Sequence, residues 1–126
     1  MINRFKQLAL AEPDISVLWL YGSRARASER ADSDYDLAIA FKAFDLSASE
    51  KSLRPHILLS DWQAALDLPE GVLSIVDINR CPIYLAINII NEAKVIVGKD
   101  TSRLMKEEAR IRSMFEYLQV EQRRFA

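Results

Sequence analysis

The stretch from Tyr21 to Leu37, YGSRARASERADSDYDL, constrains this chain most. An apolar run, Ile15 to Leu20, leads into it with the character of a strand, and Gly22 breaks that strand. A ten-residue spacer, Arg24 to Ser33, separates Gly22-Ser23 from the carboxylate pair Asp34-x-Asp36. Beyond the pair, Leu37, Ile39 and Phe41 alternate with small residues, which is the period of a half-buried strand. The spacing therefore puts a tight turn at the end of one strand and two carboxylates at the start of the next.

The rest of the chain alternates helix and strand. Ile2, Phe5 and Leu8 mark an amphipathic helix over residues 2–11, ended by Glu12-Pro13-Asp14. Ser23 to about Ala27 is expected as a short helix, and Ser28 to Ser33 as polar loop. Ser47-x-x-Glu50 matches a capping box and starts a helix that Pro55 either kinks or restarts. It reaches the turn at Pro69-Glu70-Gly71. Val72 to Ile78 reads as a buried strand and Pro82 as the first turn of a helix to about Glu92. Lys94 to Val97 is a short strand, and from Ser102 a long helix follows, with an apolar stripe at Leu104, Ile111, Phe115, Leu118 and Phe125. The expected order is α-β-α-β-α-β-α-β-α, one α/β domain spanning residues 1–126, with four strands in a sheet backed by helices.

Asp34 and Asp36, two apart at a strand start, point to one face with Cβ atoms roughly 6–7 Å apart. Such carboxylates repel unless a cation lies between them, and two Mg²⁺ ions suit them. A solvated loop end is the commoner explanation of a bare Asp-x-Asp, since short motifs match by chance. Gly22 permits a sharp turn and close approach to a ligand, and Ser23 opens a segment whose amides can receive phosphate oxygens. Ser23 alone also fits a plain helix cap. Asp77 lies in the apolar run Leu73-Ser-Ile-Val-Asp-Ile78, where a charged carboxylate needs a partner or a metal unless the strand is an exposed edge. A third strand carrying one carboxylate beside the first two would complete a metal site.

Taken together, Gly22-Ser23, the spacer, Asp34-Tyr35-Asp36 and the later Asp77 resemble the DNA polymerase β-type nucleotidyltransferases. More closely they are similar to the minimal nucleotidyltransferases (MNT) paired with HEPN-domain toxins, over essentially the whole chain. That resemblance implies a mixed sheet with ATP and two Mg²⁺ ions at its open face. By it, Gly22 and Ser23 hold the triphosphate, Asp34 and Asp36 ligate the metals, and Asp77 helps ligate the catalytic metal and activate the attacking hydroxyl. It implies an antitoxin that transfers AMP to a tyrosine of a partner HEPN RNase toxin. A glycine common in the spacer of relatives is Ser28 here, and an aliphatic residue is Tyr35.

Arg24, beside Ser23, is the arginine best placed to contact a triphosphate, ahead of Arg26 and Arg30, and a solvated helix face explains all three nearly as well. His56 has no metal-ligand spacing around it, and Cys81 reads as a small, partly buried side chain. Only the helix from about Ser102 follows the core, so the acceptor is expected to bring its own surface, as a protein partner would. A non-catalytic antitoxin that blocks its toxin by binding, and an aminoglycoside-type transferase, are the rivals.

The near balance of 17 basic against 18 acidic residues argues against direct nucleic-acid binding. A single cysteine fits a reducing compartment, and no stretch is long enough to span a membrane, so a cytoplasmic protein is expected.

Overall fold

The computed structural model describes residues 1–26 and 34–125. Its elements follow the chain as α1 (Ile2–Ala11), β1 (Ile15–Tyr21), β2 (Tyr35–Phe41), α2 (Ala48–Ala65), β3 (Leu73–Asp77), α3 (Ile83–Glu92), β4 (Lys94–Gly98) and α4 (Thr101–Arg124). The strands form one mixed sheet in the order β3-β2-β1-β4. β1 runs antiparallel to both β2 and β4, whereas β2 and β3 are parallel, joined by the crossover through α2.

Central position explains the composition of β1, which is buried at six of its seven residues. Helices cover both faces of a central strand, so apolar residues can occupy both sides of it. On one face Leu18, Leu20, Leu37 and Ile39 pack with Phe5 of α1 and with Leu58 and Trp62 of α2. On the other, Trp19, Ala38 and Ala40 pack with Ala86 and Ile89 of α3 and Ile111 of α4. The alanines of β2 on this second face leave room for Trp19, which is fully buried.

The expected helix starts hold. Ser47 Oγ accepts the Glu50 amide at 3.1 Å and donates to Glu50 Oε1 at 3.0 Å. α2 passes through Pro55 as a single helix. Asp100 caps α4 by accepting the Arg103 amide at 3.1 Å.

Two expectations change. The segment after Ser23 is a turn as far as Arg26, in which Gly22 O accepts the Ala25 and Arg26 amides at 3.1 and 3.2 Å, and four helices stand among the described residues. The loop expected at Ser28 to Ser33, with Arg30, lies outside the described residues. β3 is an edge strand, not an interior one, and Ser74, Ile75 and Val76 are half-buried. A run of β-branched residues cannot by itself distinguish the two, because α2 covers one face of the edge and supplies the burial that such residues need.

Candidate active site

The site gathers at the end of β1 and the start of β2. Tyr21, the last residue of β1, pairs with Asp36 across the antiparallel ladder. The next residue, Gly22, is at φ +76, in the left-handed region. A Cβ there would collide with Asp36 Oδ2. Glycine is needed twice over at this position, once for the dihedral and once because the backbone lies against a carboxylate.

Asp34 is exposed and Asp36 half-buried. Burial pushes the Asp36 carboxyl up, and the charge of Asp34 pushes it further, against the opposing pull of Arg26. Two like-charged carboxylates held together at a partly desolvated strand start are a hard oxygen donor set, and a divalent cation between them relieves the repulsion. The residues present therefore fit Mg²⁺ at Asp34 and Asp36, beside the Gly22-Ser23 turn.

Arg26, whose charge reaches Asp36, is itself ion-paired to Glu92 of α3 at 2.9 Å. Arg24 goes elsewhere. Its guanidinium lies 3.9 Å from the centre of the Tyr35 ring, and both residues line a cavity of about 310 Å³ with Met1, Ile2 and Asn3. Tyr35 meets Phe5 edge-to-face on the α1 side of the sheet. Successive strand residues face opposite ways, so that stack lies on the face away from the Asp36 side chain.

Asp77 is not brought to the carboxylate pair. In the parallel ladder Asp36 pairs with Ser74, and Asp77 pairs with Ile39, three residues further along. That is about 10 Å along the strand. Alternation also turns it away: Ile75 packs with the α1–α2 cluster and Val76 with the α3–α4 cluster, so position 77 follows Ile75. The side chain is 5% exposed and accepts the Asn79 amide at 2.9 Å. Burial pushes its carboxyl up, opposed by that amide and by Arg54, Arg80 and Arg103. The apolar neighbours of Asp77 do mark a buried carboxylate, but periodicity carries no interstrand register.

Among the described residues, no group of three metal-ligating side chains comes together. Two residues that motif spacing did not point to border Asp36 instead. Tyr21 and Ser74 pair with it from either side. Burial raises the Tyr21 phenol, and Asp36 adds to that. Strand alternation would have found Tyr21; Ser74 needed the pairing of β2 with β3.

His56 sits exposed on α2, and Cys81 is half-buried beyond β3. No helix among the described residues is long and apolar enough to cross a membrane.

The family model for polymerase beta nucleotidyltransferases matches residues 3–102, and the chain belongs to that family. Solved structures agree on the fold. A toxin–antitoxin crystal structure with AMP-PNP matches with a TM-score of 0.77 at 21% identity, covering 98% of this chain and 94% of that one. A chain of the tri-AMPylated Shewanella oneidensis HEPN toxin in complex with MNT antitoxin matches at 0.70 and 18%, covering 99% and 95%. An MntA–HepT toxin–antitoxin structure matches at 0.70 and 20%, covering 98% and 92%. No curated protein matches the sequence.

Proposed function

We propose that this chain is the antitoxin half of a toxin–antitoxin pair and acts as a protein adenylyltransferase. It transfers AMP from ATP to a tyrosine hydroxyl of a partner HEPN-domain RNase toxin, releasing pyrophosphate and silencing the toxin. The observation that carries this reading is Gly22 turning at positive φ directly against Asp36, with Asp34 beside it. The structural neighbours with AMP-PNP and with a tri-AMPylated HEPN toxin lend it support.

The chemistry follows from the parts. The acceptor oxygen attacks the α-phosphorus, the bond from that phosphorus to the bridging oxygen breaks with its electron pair leaving on pyrophosphate, and the hydroxyl proton passes to solvent. The bare Gly22 backbone and the Ser23 turn admit the triphosphate close to the chain. Asp34 and Asp36 hold Mg²⁺, which supplies positive charge to the phosphate oxygens when bound. The partner supplies and orients its own tyrosine, so the entropy of bringing acceptor and nucleotide together is met by complex formation.

Intact mass of the HEPN partner tests this after incubation with the protein, ATP and Mg²⁺. The expected result is a gain of one or more AMP groups, lost when Asp34 and Asp36 are replaced by Asn. A partner whose RNase is silenced with unchanged mass would overturn transfer. The displacement of Asp77 from the pair favours one second reading, an antitoxin that neutralises by covering its toxin. Under that reading the Asp34→Asn/Asp36→Asn protein still neutralises.

A further inference from the structure

Tyr21, Asp36 and Ser74 form one row across three neighbouring strands. Paired residues project to the same side of a sheet, so all three point to the α3–α4 face. Tyr21 packs with the cluster on that face, as does Val76, two residues beyond Ser74. Ser74 is thus the β3 side chain directly beside Asp36, on its face and half-buried. Asp77 has other work. It caps the turn after β3 through the Asn79 amide, and Asn79 in turn donates to Glu107 of α4.

We propose that Ser74, and not Asp77, holds the third-strand position of the nucleotide site, so that the metal is gripped by two carboxylates with a hydroxyl beside them. This rests on the nucleotide-transfer reading of the same site. A neutral hydroxyl at this place leaves the site one negative charge short of a three-carboxylate arrangement. Divalent-cation affinity is accordingly below what the scaffold can deliver, and one substitution restores it. Asp77 contributes nothing to metal binding.

The test is Mn²⁺ binding in the presence of AMP-PNP, followed by electron paramagnetic resonance, for the wild type, Ser74→Asp and Asp77→Asn. Ser74→Asp is expected to bind Mn²⁺ at least about tenfold tighter than the wild type, because cation affinity rises by decades with the charge count of the ligands. Asp77→Asn, whose amide oxygen still accepts from Asn79, is expected to bind within about twofold of the wild type. Thermal unfolding gives a second readout. Three adjacent carboxylates make Ser74→Asp less stable than the wild type without metal, and Mn²⁺ reverses the loss. A Ser74→Asp protein that binds no tighter, or that Mn²⁺ does not rescue, overturns the inference. So does a folded Asp77→Asn protein with tenfold weaker binding. If the wild type leaves its partner unmodified while Ser74→Asp gains Mn²⁺ affinity, the AMP-transfer reading falls and the assignment of Ser74 stands.

Discussion

Gly22 meets two demands that no other residue satisfies together. Its φ of +76 costs a residue with a Cβ about 1–2 kcal/mol, and that Cβ would strike Asp36 Oδ2. Gly22→Ala is therefore expected to lose roughly 1–3 kcal/mol of stability, read by chemical denaturation, and to lose nucleotide binding together with it. Asp36 behaves oppositely. It is half-buried beside Asp34, and its charge opposes folding until a cation arrives. Asp36→Asn should raise metal-free stability by roughly 0.5–1 kcal/mol while lowering the proposed AMP transfer at least about 100-fold. Stability gained while activity is lost separates a functional carboxylate from a structural one. The glycine turn and the pair of carboxylates were legible in the sequence because each depends on neighbours a few residues away. The places of Asp77 and Arg24 were not. Which strand residue faces Asp36 depends on the pairing of β2 with β3 across the whole of α2, and no local pattern records it. Arg24 instead found an aromatic face two residues after the spacer, an attraction that competes with phosphate for the same guanidinium.

Among the elements, the far end of the sheet is closed by a network around Glu107. This carboxylate is 5% exposed on α4. It accepts from Asn79 Nδ2, from Arg103 Nε at 2.9 Å and from Arg110 Nε at 2.9 Å. Arg103 also donates to the Phe41 carbonyl at 2.9 Å and to Asn79 Oδ1 at 2.7 Å, so α4 is tied to the ends of both β2 and β3. Burial pushes the Glu107 carboxyl up, but hydrogen bonds from Asn79, Arg103 and Arg110 outweigh it and hold it below the ordinary 4.5. A depressed folded value means that the unfolded chain takes up the proton first. The contribution of Glu107 is therefore complete above about pH 4.5 and fades as pH falls through the lower folded value. Glu107→Gln is expected to cost roughly 3 kcal/mol at pH 7, since it leaves two arginines without their carboxylate. The deficit relative to the wild type should shrink in acid, which urea unfolding at several pH values measures. The helix carrying this network was evident from its apolar stripe, but Glu107 was not, because a glutamate among many charges on a long helix looks solvated until its partners on other elements are known.

For the whole molecule, β2 separates two ends with different duties. Asp36 lies near its start with Asp34 just before it, and its last residue, Phe41, receives Arg103, five positions and about 17 Å from Asp36. A rigid strand buried on both faces joins the ends, so each can change without deforming the other. Perturbations more than about 10 Å apart with no shared partner add. Mg²⁺ with AMP-PNP at about 100 times its dissociation constant should stabilise the wild type by about 2.7 kcal/mol. Glu107→Gln should start from a lower baseline and gain the same increment. The Asp34→Asn/Asp36→Asn protein should start at or above the wild-type baseline and gain almost none. Thermal unfolding of the three proteins, with and without the metal nucleotide, measures all of these together. An increment that shrank with Glu107→Gln would mean that the network reaches the nucleotide through the sheet, and α4 would then belong to the site as well as to the core.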